Sequence, residues 1–311
     1  MSISVRDQFG KQLAKLAKED SRVLALDGDL GNSTRLDSIE KETADSFLQM
    51  GIAEQNMVGV AAGLASVGFQ PWVCSFATFL TKRALDQIIV SVAQTNFDVK
   101  LVGSYSGLLT SNTGKTHHSL DDIAIMTTIP NMTVIAPGDA RETVAAMKAM
   151  HRTVGPMYLR LTRDETIPSF LPDEDFEIGK GKTLGEGTDM LVVTTGSTTY
   201  RVAEVIKQME DVSIAHQHFP TLKPFDKELL IEGARKVRQV VTVEEHYKRG
   251  GLGSIVSEIL SESLPRKIYR IGVPDNFFGC GTDKELLEAT GLSVEAIRKS
   301  LIDLSLCKKQ F

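Results

Sequence analysis

Gln49-Met50-Gly51-Ile52-Ala53-Glu54-Gln55-Asn56-Met57-Val58-Gly59-Val60-Ala61-Ala62-Gly63-Leu64-Ala65 is the stretch on which the reading of this chain turns. Its second half carries Gly59, Ala61, Ala62, Gly63 and Ala65 where a surface helix would carry polar residues. A helix without bulk lets a neighbouring helix or a cofactor come close to its backbone. Near its start stands Glu54, one acid in a turn that is otherwise apolar or amide-bearing. Burying a carboxylate is costly unless it is paired or its pKa moves, and an acid in a first turn also suits the helix dipole. Taken alone, Glu54 reads as a cap sooner than as a catalytic group.

On both sides of this stretch short apolar runs alternate with helical periodicity. Arg22-Val23-Leu24-Ala25-Leu26-Asp27 reads as a buried parallel strand, followed by the loop Gly28-Asp29-Leu30-Gly31-Asn32-Ser33. In open parallel sheets ligands gather outside such strand ends. Ser4-Val5-Arg6-Asp7 has the form of a helix N-cap with an acid three residues on. Further strands are expected at residues 71–76, 99–103, 133–137 and 156–161, with a helix from about Thr81 through Gln94. Residues 164–187 are rich in glycine, acids and proline (Pro168, Pro172), which reads as a linker or a meandering crossing rather than a packed element. The rhythm then restarts, with strands at 190–195, 212–215, 239–243 and 267–273. The fold class is therefore α/β, two α/β domains in tandem: residues 1–165, a linker over 166–187, and residues 188–311.

Bulk properties narrow the function. A chain of 311 residues suits two ordinary domains, and 42% hydrophobic with 24% charged residues is the composition of a soluble globular protein. Net charge is −5 with no dense basic run, which argues against nucleic acid as a partner. Cys74, Cys280 and Cys307 are scattered without metal-ligand spacing, as in a reducing compartment. No signal segment or membrane-length apolar run is apparent, so no membrane contact and a cytoplasmic location are expected.

Gly51-Ile52-Ala53-Glu54-Gln55-Asn56, then Ala61-Ala62-Gly63-Leu64-Ala65 and Ser75-Phe76-Ala77-Thr78-Phe79, together resemble the pyrimidine-binding domain of transketolases. The resemblance implies thiamine diphosphate as cofactor, with Glu54 hydrogen-bonded to N1′ of the aminopyrimidine and favouring its imino form. It implies that Phe76 and Phe79 hold the pyrimidine ring, although their spacing alone fits core aromatics. It sets the Asp29-Leu30 loop beside the cofactor. It matches His117, in Thr116-His117-His118, to a histidine that touches substrate hydroxyls, and Ser33 and Arg163 to groups that contact the substrate's anionic end. Tyr105 stands where a phosphate-holding histidine is usual, His118 where glutamine is usual, and Asn112-Thr113 where the family has Glu-Asp. These departures point to altered headgroup contacts, as a branched sugar phosphate, a ketone acceptor or a sulfonated sugar would require.

The resemblance covers nearly the whole chain but only the last two domains of a three-domain enzyme, and the family's Gly-Asp-Gly motif for the metal and diphosphate is not found. It therefore implies one subunit of a split transketolase, inactive alone. A partner subunit would carry the diphosphate-binding domain and most of the Mg²⁺ contacts, the assembly being a dimer of heterodimers. No metal ligand is assigned to this chain. The second domain is implied to be structural and dimer-forming, with His216, His218 and His246 read as ordinary. Three other readings stay open: the β subunit of a 2-oxoacid dehydrogenase complex, a fragment of a 1-deoxyxylulose-phosphate synthase, and a non-catalytic scaffold on this fold.

Overall fold

The computed structural model describes residues 4–165, 167–171 and 176–306. Strands β1 Val23–Asp27, β2 Phe47–Gln49, β3 Gln70–Phe76, β4 Lys100–Ser106, β5 Thr133–Ile135 and β6 Met157–Thr162 come from the first half. The second half supplies β7 Lys182–Gly185, β8 Met190–Thr194, β9 Ile214–His218, β10 Thr221–Lys223, β11 Gln239–Tyr247 and β12 Ile268–Val273. They build a seven-stranded sheet in the order β10-β5-β6-β4-β3-β1-β2 and a five-stranded sheet in the order β12-β11-β8-β9-β7. Both are parallel except at one edge, where β10 pairs antiparallel with β5 and β7 pairs antiparallel with β9.

Every residue of β1, β3, β4, β6 and β8 is buried. Apolar runs such as residues 23–26 and 190–193 follow from helices covering both faces of a parallel sheet. The Val5–Glu19 and Ala140–Arg152 helices pack together over one face of the first sheet, where Phe9, Leu13, Met147 and Met150 join Trp72 and Leu159. Over the other face lies the Glu54–Ser66 helix, with Met57, Val58 and Ala61 against Leu26, Val73 and Ile88.

The structure corrects three details of the sequence reading. The expected Thr81–Gln94 helix is an α-helix over Ala77–Arg83, a single turn over Leu85–Gln87 and a π-helical turn over Ile88–Ala93. The wider turn rotates the apolar face, burying Ile88 and Val92 and leaving Ile89 and Val90 exposed. The 166–187 stretch is not all linker, because β7 lies within it. Two of its glycines mark close approach, not slack: a Cβ on Gly181 would meet Phe219 and Leu229 at 2.8–2.9 Å, and one on Gly187 would meet the Ile214–Ala215 backbone at 2.3–2.4 Å. Pro172 and Cys307 lie outside the described residues. Finally, β10 leaves the second half of the chain to extend the first sheet, a crossing that three residues gave no periodicity to reveal.

Candidate active site

Four neighbouring parallel strands, β6, β4, β3 and β1, end on the same side of the first sheet, and each delivers a site residue at its carboxyl end. Phe76 closes β3, Tyr105 lies at the end of β4, Arg163 follows β6, and the Asp29–Ser33 loop follows β1. Glu54 opens its helix on the same side, 1% exposed, its charge favoured by the helix N-terminus. Arg83 Nη1 donates to Glu54 Oε2 at 2.6 Å, and the Ser75 hydroxyl donates to Oε1 at a longer 3.3 Å. One carboxylate oxygen is thus firmly paired and the other only loosely held.

Phe76 is the last residue before the Ala77–Arg83 helix, so Phe79 and Arg83 follow on the same helical face. The two phenyl rings stack with centroids 5.7 Å apart, and the Arg83 guanidinium sits 4.9 Å from the Phe79 ring. Arg83 is 46% exposed and gave no signal in the sequence reading, although its place one turn beyond Phe79 could have drawn attention. An antiparallel bridge between Gly107 and Ser119 closes the intervening loop and returns His117 to the aromatic pair, 5.2 Å from Phe79 and 6.1 Å from Phe76. Its Nδ1 bonds the Thr116 hydroxyl at 2.9 Å. His118 points elsewhere. It is buried, neither ring nitrogen has a hydrogen-bond partner among the described residues, and desolvation lowers its pKa.

Tyr105 joins the stack from the other side, 4.3 Å from Phe76. Its φ of 54° is strained for a residue with a side chain, and the pairing of β4 with β6 shifts register between Gly103 and Ser106. Such an irregularity beside a sheet end re-aims a side chain. Two guanidiniums flank the Tyr105 ring, Arg6 at 5.2 Å and Arg163 at 5.4 Å. Arg6 was not foreseen from the sequence. Buried at the start of the Val5–Glu19 helix, it donates from Nη1 to the Tyr105 hydroxyl at 2.9 Å and to the Ser33 carbonyl at 3.1 Å, and from Nη2 to Glu165. The Nε of Arg6 and that of Arg163 are buried donors without a partner among the described residues. Two cations with unused donors are the equipment of an anion site.

The structure therefore brings together Glu54, Phe76, Phe79 and His117 as one cluster, with Tyr105, Arg163 and Ser33 as an adjoining one. Asp29 and Leu30 serve the loop itself. Asp29 adopts φ 63° and its N–H donates to Gln49 Oε1, while the Leu30 N–H donates to the Asp27 carboxylate at 3.1 Å. Burial pushes the Asp27 carboxyl up. Among the described residues no group of three or more His, Cys, Asp or Glu side chains is placed to hold a metal ion, and no helix is long and apolar enough to cross a membrane.

The loop carrying His117 is pinned by the second domain. Glu245 on β11 accepts from the Leu108 N–H at 2.9 Å, from the Ser197 hydroxyl at 2.9 Å and from Arg201 at 2.5 Å. Arg201 also bonds Asp164 at 2.9 Å. Alongside, Arg160 Nε and the Tyr158 hydroxyl both donate to Asp122 at 2.8 Å, and Arg160 reaches the Glu245 carbonyl at 3.0 Å. His218, read as ordinary from the sequence, bridges Glu142 and Thr199 at 2.8 Å on either ring nitrogen.

Comparison with known proteins agrees with this geometry. Residues 1–168 match the model of the transketolase pyrimidine-binding domain, and residues 179–297 match that of the transketolase C-terminal domain. One of the subunits of the apulose-4-phosphate transketolase of Phocaeicola vulgatus is 35% identical over 97% of this chain and 97% of its own length. A 6-deoxy-6-sulfo-D-fructose transketolase subunit from a Clostridium species is 36% identical over 94% of this chain and 92% of its own. Among solved structures, a split-gene transketolase described as an inactive β4 tetramer superposes with a TM-score of 0.87 at 37% identity, covering 97% of this chain and 98% of that one.

Proposed function

The chain belongs to the transketolase family, and on that premise we propose that it is one subunit of a two-subunit, thiamine-diphosphate-dependent transketolase. The enzyme would move a two-carbon ketol unit between phosphorylated or otherwise anionic sugars. The observation that carries this reading is the buried Glu54 carboxylate, loosely held at one oxygen and set beside the Phe76–Phe79 stack. When bound, thiamine diphosphate supplies the carbanion chemistry that carbon–carbon cleavage requires.

The chain's own residues bind, orient and shield. Glu54 Oε1, held loosely by the long Ser75 contact, can take a hydrogen bond from a protonated ring nitrogen, with Arg83 pairing and orienting the carboxylate. Phe76 and Phe79 offer a flat apolar wall that excludes water and so strengthens that bond. His117, at the edge of both rings, faces the hydroxyls of a sugar. Arg6, Arg163, Ser33 and the Tyr105 hydroxyl take its anionic end, whether the phosphate or the sulfonate that the two relatives' names specify. The Asp29-Leu30 loop lies near the cofactor side through Gly28, whose added Cβ would meet Ser75 at 3.6 Å.

A partner subunit would complete the site with the diphosphate and Mg²⁺ contacts. The surface beside Glu54 supports this. A Cβ on Gly59 or Gly63 would meet nothing within 4 Å, and Ile52, Val67, Ile89 and Val90 are exposed around the same helix and its π-helical neighbour. Small residues and exposed aliphatics together suit a close-packed helix from another chain. We place the pair in a cytoplasmic dimer of heterodimers. The test is to mix the chain with its partner, thiamine diphosphate and Mg²⁺ and to follow ketol transfer from phosphorylated and sulfonated ketoses. Transfer is expected in the mixture only; transfer by this chain alone, or dependence on a 2-oxoacid and a lipoyl acceptor, would contradict the reading.

A further inference from the structure

We propose that Glu165 lowers the net positive charge of the anion subsite and so penalises doubly charged sugar termini more than singly charged ones. The inference rests on the reading of Arg6 and Arg163 as the subsite. Glu165 follows Arg163 by two residues and pairs with Arg6 Nη2. Its side chain is 55% exposed whereas that of Arg6 is 7% exposed, so the arginine is the fixed member and the carboxylate the movable one. Arg6 is held by Ser33, Tyr105 and ring contact; Glu165 is held by Arg6.

The charges around the subsite can be counted from this geometry. Two guanidiniums and Glu165, the carboxylate in direct contact with one of them, leave a single net positive charge. Asp164 is directed to Arg201 and does not alter that balance at the Arg6 side. Asp283 does face the same region: burial, with the charges of Asp164, Glu245 and Glu165, pushes its pKa up against the pull of Arg163. Each arginine of the subsite thus has a carboxyl group near it, Glu165 at Arg6 and Asp283 toward Arg163. A phosphate monoester carries close to two negative charges at neutral pH. A sulfonate carries one. The singly charged group is neutralised by the subsite with Glu165 in place, whereas the doubly charged group must expel the carboxylate from Arg6 or sit beside it. Coulomb energy scales with the product of charges, so the penalty that Glu165 itself imposes doubles from one anion to the other, and its removal helps the doubly charged group more.

The experiment uses the enzyme reconstituted with its partner, thiamine diphosphate and Mg²⁺, and compares a ketose phosphate with its sulfonate isostere in wild type and Glu165→Gln. Because the Glu165 carboxylate is solvent-exposed, the substitution should raise kcat/KM about twofold for the sulfonate and about fourfold for the phosphate, the change being read in KM. The preference between the two donors thus shifts about twofold toward phosphate. An unchanged preference, or a fall for both donors, would overturn the role of Glu165. A ketose with a neutral terminus serves as the control for the underlying reading. If wild type uses it as well as either anionic donor, the anion subsite itself is wrong, whatever Glu165→Gln does.

Discussion

The seam between the two sheets and the face around Glu54 are built on opposite plans. In the seam, Arg160 and Tyr158 meet Asp122, Arg201 meets Glu245 and Asp164, and His218 meets Glu142, all within the chain. Around Glu54, aromatic rings, a half-exposed arginine and a helix face of small residues look outward. The difference fits the proposal that another chain completes the site. In the seam, charged side chains find most of their partners within the chain, whereas around Glu54 an aromatic stack and small, exposed residues are presented to another molecule.

The sharpest way to break this contrast is Glu54→Gln. In the reconstituted enzyme it should lower kcat about 10²- to 10⁴-fold, the range for removing a proton-handling group, while the chain's unfolding transition stays in place. Unaltered turnover would remove Glu54 from the chemistry. On the other side of the comparison, Asp122→Ala strands the Arg160 guanidinium in the seam. Denaturant unfolding should show a loss of about 3–5 kcal/mol; a change below about 1 kcal/mol would mean this buried pair carries little of the fold.

A third prediction concerns pH. Burial pushes the Glu244 carboxyl up to about 8 from 4.5, and its Oε2 has no partner among the described residues. A raised folded-state pKa contributes stability fully below about 4.5 that is lost as pH rises through about 8. Wild type should therefore lose a few kcal/mol, roughly, between pH 5 and 9, and Glu244→Gln should flatten that limb in urea titrations. His216, held down to about 3 by burial, acts at the other end: its contribution is present above 6.5 and lost as pH falls through about 3. The smallest effect is expected at the open face. Gly63→Leu should weaken association with the partner about tenfold, or about 1.4 kcal/mol, without altering the unfolding of this chain alone. Equal affinity would put the partner elsewhere.

What could be read from the sequence follows the same division. The strand and helix rhythm was legible because local periodicity encodes it. The Glu54, Phe76 and Phe79 cluster was legible only through its resemblance to transketolases, since spacing alone fits a cap and core aromatics. Arg6 was not, since its stretch reads as a helix start. Its signal was a charge in line with Phe9 and Leu13, an apolar stripe where an arginine needs a reason. Glu142 and His218 stand 76 residues apart and Leu108 and Glu245 stand 137 apart. Only the crossing of β10 and the packing of the second sheet bring such pairs together, so no local pattern announces them. Tyr105 was visible as a departure from its family, but the left-handed backbone that turns its ring onto Phe76 was not.

The central claim is that the cofactor site is shared. Calorimetric titration of thiamine diphosphate with Mg²⁺, first into this chain and then into its mixture with the partner subunit, tests it most directly. Binding in the mixture alone is the predicted result. Tight binding by this chain by itself, or none in either sample, would contradict it.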